Sequence, residues 1–231
     1  MDYQFLTGSQ KPINIIKKIK YNIDFRKEHP DYFWPEGLLV FCGSQGSGKT
    51  LSAVQYIMKV CKLYPKAILC TNVEIKGLNP STKVIEYNGI NCLKNLENGQ
   101  FGVIYFIDEI HLEFNSLESK NIDIDIMIEI SQQRKQRKHI VGTSQVYGRM
   151  AKPLREQIKN AVLCQNYFGC IQRNILIDGD KTHEEDGKLV VDKSKTFFWI
   201  HNPELYSCYD TYAKMRRYRN EWQGRKRIET R

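Results

Sequence analysis

Gly43-Ser44-Gln45-Gly46-Ser47-Gly48-Lys49-Thr50 is the stretch from which the rest of the chain can be read. It fits the pattern G-x-x-x-x-G-K-[ST] without a mismatch. Its flanks agree. Gly37 to Cys42 before it is an apolar run of strand length, and Leu51 to Leu63 after it carries apolar residues at helical spacing. A strand, a glycine loop and a helix N-terminus together make an anion site, because backbone N–H groups point inward and the helix dipole favours negative charge. Glycines at 43, 46 and 48 let the backbone approach a phosphate with no Cβ in the way. Ser44, Gln45 and Ser47 complete the cradle. Lys49 is expected to reach the β- and γ-phosphates of ATP, and Thr50 to bind Mg2+.

Further along, Val103-Ile104-Tyr105-Phe106-Ile107-Asp108-Glu109 is an apolar run closed by two carboxylates. The run should be a buried strand. Ligands bind at the carboxyl ends of parallel strands, so a parallel sheet would bring Asp108 and Glu109 to the glycine loop. Asp108 is placed to support Mg2+, and Glu109 to orient and activate a water for attack on the γ-phosphate. An acidic pair of this kind suits hydrolysis better than transfer to another substrate. Asp108-Glu109-Ile110-His111 also spells a D-E-x-H box, but the chain has no room for the second motor domain that helicases with this box need. His111 reads as a structural polar contact.

Outward from these motifs, strands and helices alternate. Strands are expected at 37–42, 66–73, 101–107, 139–142 and 161–164, and helices at 49–63, 89–97, 122–138 and 154–159. Lys76 to Thr82 is a loop. Such alternation predicts an α/β fold with a parallel sheet and right-handed crossovers. Cys170 to Ile177 and Lys195 to Ile200 read as a β-hairpin flanking the acidic loop Asp178 to Asp192. His183-Glu184-Glu185-Asp186 in that loop reads as a solvated tip rather than a metal site. Tyr209 to Arg231 reads as a basic helix with a frayed end. Ahead of the core, Ile13 to Lys20 suggests a short amphipathic helix. Tyr32-Phe33-Trp34-Pro35 either stacks on a base or caps the core. The expected organisation is an N-terminal segment, 1–36, packing on the core, an ATPase core, 37–169, and a C-terminal hairpin with basic tail, 170–231.

The 231 residues carry a formal net charge of +9, which suits a polyanionic partner. Seven scattered cysteines form no C-x-x-C pair, which argues against a zinc ribbon and fits a reducing compartment. No stretch has the length and apolarity of a membrane span or of a signal peptide. The expectation is a cytoplasmic protein, in the host cytoplasm if the source is a virus, with no membrane insertion.

The loop 43–50, the strand ending in Asp108-Glu109, and the segment Arg137 to Cys164 follow one another in an order that resembles the additional-strand, catalytic-glutamate class of P-loop ATPases, and within it the HerA/FtsK superfamily. The chain is also similar to the Zot-like ATPases of filamentous phages. In size it looks most like the genome-packaging ATPases of membrane-containing phages. The resemblance covers roughly residues 37–165. It implies a RecA-like core with strand order 5-1-4-3-2, flanked by helices, and a ring oligomer, often a hexamer, that moves DNA with ATP. Lys49 and Thr50 carry over as nucleotide and metal contacts, Asp108 as metal support, Glu109 as catalytic base and Gln145 as sensor. Ser144 separates Thr143 from Gln145, a departure from the family's Thr-Gln ending. FtsK proteins have membrane and DNA-reading domains, Zot-like proteins usually carry a transmembrane segment, and large terminases add a nuclease; none of these is found in this sequence.

Basic residues gather in two places. Arg134 to Lys159 contains Arg134, Lys135, Arg137, Lys138, Arg149, Lys152, Arg155 and Lys159. Arg134 or Arg137 is expected either to reach a neighbouring subunit's ATP as an arginine finger, to touch DNA, or to lie on a solvated helix face. The tail contains Arg216, Arg217 and Arg219 interleaved with Tyr212, Tyr218 and Trp222. With Arg149 and Lys152, the tail arginines are the candidate contacts to double-stranded or single-stranded DNA. The tail's other reading is docking on an acidic subunit or portal surface, and the expected protein partners of the whole chain are a capsid portal or a membrane assembly protein. Four functions remain open: a packaging translocase, a Zot-like export ATPase, a nucleotide-dependent scaffold and a small-molecule kinase.

Overall fold

Ile13 to Lys20 is helical, and the helix is longer than its apolar spacing suggests: α1 spans Pro12–Glu28. In the computed structural model, which describes residues 12–114, 124–145, 147, 150–179, 182–185, 188–191 and 194–210, it belongs to a first compact unit, residues 1–32. Rings four residues apart line one side of it. Phe25 lies 6.2 Å from Tyr21 and 4.5 Å from His29, and meets Tyr32 edge-on at 5.2 Å.

The second unit, residues 33–231, is built around strand β1, Leu38–Cys42. All five of its residues are buried, so it can only be a central strand covered on both faces. The chain continues through the glycine loop into α2 (Lys49–Leu63), then β2 (Ile68–Thr71), β3 (Glu74–Ile75), β4 (Val84–Glu86), α3 (Cys92–Asn95) and β5 (Val103–Ile107). After a 3-10 turn at Ile110–Leu112 come α4 (Ile124–Gln132), β6 (Lys138–Ser144), α5 (Lys152–Arg155), β7 (Ile158–Tyr167) and β8 (Ile171–Asp178). A small hairpin, β9 (Thr182–Glu185) and β10 (Lys188–Val191), leads to β11 (Ser194–Ile200), α6 (Pro203–Ser207) and β12 (Tyr209–Asp210). Among the described residues no helix is long and apolar enough to cross a membrane.

The eight-stranded sheet has the order β11-β8-β7-β1-β6-β5-β2-β4. Its five central strands are parallel and run 5-1-4-3-2, as expected. The sheet extends further than the sequence indicated, with β4 added parallel at one edge and β8 and β11 antiparallel at the other. Alternate side chains feed two cores. Leu39 and Phe41 join Leu51, Val54, Ile57 and Cys61 of α2. Leu38, Val40 and Cys42 join Tyr105, Ile107, Ile126 and Ile130 on the opposite face. Each large apolar side chain buried this way contributes about 1.5–3 kcal/mol. Helix α2 ends at Tyr64, whose N–H still reaches the Val60 carbonyl at 2.8 Å, and Pro65 follows.

Several boundaries differ from the sequence reading. The helix expected to run to 138 stops at Gln132, because Arg137 takes a left-handed conformation (φ 55°) and Lys138 already opens β6. Lys138 is therefore no surface cation. It is buried, and its Nζ donates to the Leu93 carbonyl at 2.7 Å and to Glu129 Oε2 at 3.1 Å. The helix expected at 154–159 is confined to 152–155, since Ile158 pairs with Leu38 on the central strand. β4, short and partly exposed, carries too weak an apolar signal to be noticed. The loop between β8 and β11 forms its own hairpin. Tyr209 and Asp210 pair with β3 rather than starting a helix, and the rest of the expected tail helix lies outside the described residues. Phe33 is a core residue. It is 1% exposed and meets Tyr64 edge-on at 4.9 Å. A Cβ on Gly102 would come within 2.1 Å of the Phe33 ring. All seven cysteines are free thiols.

Candidate nucleotide-binding site

The loop 43–50 leaves the carboxyl end of β1 and is held by its neighbours on both sides. The Gly43 N–H donates to the Ser144 carbonyl at 3.2 Å. A Cβ at Gly43 would come within 2.2 Å of Ser47 Oγ. Gly46 and Gly48 both have positive φ, 78° and 76°. Helix α2 begins directly after, so its first N–H groups have no earlier turn to donate to. Ser47 Oγ is buried with no hydrogen-bond partner among the described residues. The result is a donor-lined cradle whose polarity suits a phosphate.

β5 brings the acidic pair to this cradle. Thr50 Oγ1 donates to Asp108 Oδ1 at 3.1 Å, and Lys49 Nζ lies 3.7 Å from Glu109 Oε1. The Asp108 backbone is clamped by one side chain: its N–H donates to Asn72 Oδ1 at 2.8 Å, and Asn72 Nδ2 donates back to its carbonyl at 3.1 Å. Glu109 is in a left-handed conformation, φ 57° and ψ 47°. Few residues other than glycine accept that backbone, and such exceptions gather at functional sites. Its N–H donates to Thr143 Oγ1 at 2.9 Å, and the same hydroxyl donates to Asp108 Oδ1 at 2.7 Å. On its far side, Glu109 Oε2 is 3.3 Å from His111 Nδ1, which is itself 3.4 Å from Ser144 Oγ. Behind the loop, burial pushes the Cys42 and Cys164 thiols up to about 12, so both stay neutral. Burial, with the Asp108 carboxylate adding to it, raises the Tyr209 phenol.

The fold is decided by this geometry together with known structures. No family profile matches the sequence, and no curated protein matches it. Solved structures do. The N-terminal domain of zonular occludens toxin from Neisseria meningitidis superposes with a TM-score of 0.54 at 15% identity, over 75% of this chain and 98% of that one. The genome packaging NTPase from Sulfolobus turreted icosahedral virus 2, in complex with AMP, superposes with a TM-score of 0.50 at 13% identity, over 73% and 98%. The same NTPase in complex with ATP-gammaS gives 0.50 at 12%. The chain has a P-loop NTPase fold. At these identities the likeness is one of fold.

Within that fold the sequence-predicted residues separate into those that meet and those that do not. Gly43 to Thr50, Asp108 and Glu109 meet at the carboxyl ends of the central parallel strands. Of Thr143, Ser144 and Gln145, it is Thr143 that bridges the acidic pair, while Gln145 is exposed just past the end of β6. Arg134 and Arg137 lie at the amino ends of the strands, away from this chain's own loop. The Arg134 stem is beside Gly37, and the Arg137 carbonyl accepts from the N–H that opens β5. Lys152 is exposed, 3.9 Å from Glu156. Arg149, Arg216, Arg217 and Arg219 lie outside the described residues. Sequence reasoning overlooked Asn72. Its signal was available, since it is the polar residue closing β2 next to the strand that carries the acidic pair. It also overlooked Gln172 and His201, for which no local signal exists.

Proposed function

We propose that this chain is a Mg2+-dependent ATPase that moves DNA, acting as a ring, most simply a hexamer, in viral genome packaging in the host cytoplasm. The observation that carries the reading is the meeting of Lys49, Thr50, Asp108 and Glu109 at the carboxyl ends of the parallel strands. Loop N–H groups and Lys49 bind the phosphates. The oxygens of Thr50 and Asp108, 3.1 Å apart, suit an oxygen-ligated Mg2+, and when bound that ion neutralises phosphate charge. Glu109 takes a proton from a water as the water oxygen attacks the γ-phosphorus. The bond to the β,γ-bridging oxygen breaks and ADP leaves. Lys49 Nζ lies 3.7 Å from Glu109 Oε1, so the phosphates compete with the carboxylate for this cation and leave Glu109 free to act as base. Thr143 and His111 hold the base in place, and Gln145 stands at the strand end as sensor. Arg134 and Arg137, at the opposite end of the sheet, act on a neighbouring subunit's nucleotide. Lys152, Arg149 and the tail residues Arg216, Arg217 and Arg219 contact DNA phosphates.

Similarity in fold to a genome packaging NTPase supports this assignment. Similarity to the zonular occludens toxin domain supports a second reading, export of filamentous phage with a membrane partner. The deciding experiment is ATP hydrolysis with and without double-stranded DNA, in wild type and Glu109→Gln. DNA-stimulated hydrolysis that drops by about 100-fold or more in a variant that still binds ATP supports the motor. Hydrolysis indifferent to DNA, or unchanged by the substitution, refutes it.

A further inference from the structure

The C-terminal antiparallel strands touch the phosphate loop through one buried side chain. Gln172 on β8 has no exposed surface. Its Nε2 donates to the Ser47 carbonyl at 2.9 Å and to Asn174 Oδ1 at 3.1 Å. Both amide hydrogens therefore meet oxygen acceptors, which settles which end of the amide is which. The other end, Oε1, lies 3.1 Å from His201 Nε2. That oxygen only accepts, so His201 carries a proton on Nε2. Its Nδ1 meets the Tyr206 hydroxyl, which lies 3.1 Å from the Gly169 carbonyl. The hydroxyl can donate to either, so Nε2–H stays on Gln172 whether His201 is neutral or charged. Gln172 Oε1 also occupies the place of a missing side chain, since a Cβ on Gly48 would lie 2.1 Å from it.

The peptide joining Ser47 and Gly48 is trans, so its C=O and N–H point in opposite directions. A donor that pulls the Ser47 carbonyl backward aims the Gly48 N–H forward into the cradle. Gly48, at φ 76°, is a residue about which this peptide would otherwise turn easily. We infer that Gln172 is a positioning residue for nucleotide binding, holding the Ser47–Gly48 peptide with its N–H toward the phosphates, and that His201 fixes the orientation of the Gln172 amide. The inference rests on the reading of loop 43–50 as an ATP site. It makes the C-terminal strands part of that site, although they share none of its sequence motif.

The test measures binding of a non-hydrolysable ATP analogue with Mg2+ by calorimetry, at a temperature where melting curves show every variant folded. Gln172→Met keeps side-chain length and removes the donor. Gln172→Glu keeps a partner for His201 and also cannot donate. Both are expected to weaken binding about tenfold or more. They should also raise KM for ATP with a smaller effect on kcat, as loss of ground-state binding does. His201→Leu is expected to give a similar loss. His201→Gln, whose amide N–H replaces Nε2–H, is expected to bind within about threefold of wild type. A purely structural role would lower melting temperatures and leave affinity and KM alone. Wild-type affinity in both Gln172 variants, or equal weakening by His201→Gln and His201→Leu, overturns the inference. Lys49→Ala separates the two levels. If the wild type binds, Lys49→Ala does not, and the Gln172 variants bind normally, this inference alone fails; if the wild type binds nothing, the ATP-site reading fails with it.

Discussion

Thr143 serves two partners with one hydroxyl, accepting from the Glu109 N–H and donating to Asp108 Oδ1, and it is wholly buried. Thr143→Val keeps the shape and leaves both partners short of a bond. The expected cost is about 1–3 kcal/mol of stability. Hydrolysis should fall more than nucleotide binding, because the base loses its anchor. Thr143→Ser should recover both, and denaturant titration beside phosphate-release kinetics checks it. Gly48 is constrained twice, by its positive φ and by the Gln172 oxygen, which would lie 2.1 Å from an added Cβ. Gly48→Ala should bind nucleotide at least about tenfold more weakly than wild type, since the added methyl displaces either the loop or Gln172. Wild-type affinity in that variant would mean the loop adapts more freely than its packing suggests.

β6 is expected to set the acid limit of the fold. His139, buried on this strand, pairs Nδ1 with the Gly37 carbonyl at 2.7 Å and Nε2 with the Tyr56 hydroxyl at 3.0 Å. It therefore joins β6 to the start of β1 and to α2. Burial lowers its pKa below the ordinary 6.5, against smaller opposing contributions from the Gly37 carbonyl and Glu36, while Lys159 lowers it further. The unfolded chain thus takes up a proton near pH 6.5 that the folded chain refuses. Stability is full above that pH and declines as the pH falls toward the folded value, by at most about 1.4 kcal/mol per pH unit for one such group. His201, also lowered by burial, adds a second contribution of the same sign. Urea unfolding between pH 8 and 5 should show the decline, and His139→Gln should flatten part of it. A core element is open to a plainer test. Phe33→Ala empties the space between Gly102 and Tyr64, and should cost about 3–5 kcal/mol in the same assay.

At the scale of the whole molecule, the excess of positive charge and the proposed trans-acting arginines belong together. A motor that grips phosphates should bind double-stranded DNA without sequence preference, with affinity that falls linearly on a log–log plot against salt. Nucleotide should promote a ring that sedimentation can detect. Arg134→Ala or Arg137→Ala should lower hydrolysis in the assembled form, by about 1,000-fold if the residue is the finger. It should leave ATP binding by an isolated chain unchanged, since both residues lie at the far end of the sheet from that chain's own loop. Hydrolysis that is independent of protein concentration, with no assembly, would count against the ring.

The sequence by itself determined the phosphate loop and the buried strand with its acidic pair, while the order of the five central strands followed from the family resemblance. The loop and the strand rest on local patterns: glycines where the backbone must turn, and an apolar run where a strand is covered on both faces. It left open whether Phe33 stacks on a base, and Gly102 answers by leaving room for its ring in the core. It grouped Lys138 with the run from Arg134, open to reading as an arginine finger, a DNA contact or a solvated helix face. The turn at Arg137 instead delivers that ammonium to Leu93 and Glu129. Only the tertiary structure decided that Asn72 clamps Asp108, that Thr143 rather than Gln145 bridges the acidic pair, and that Gln172 and His201 stand behind the loop. Each of these pairings joins residues tens or more than a hundred positions apart, through one or two hydrogen bonds. Such contacts have no period or composition to betray them; they exist only once the sheet has set the strand ends side by side.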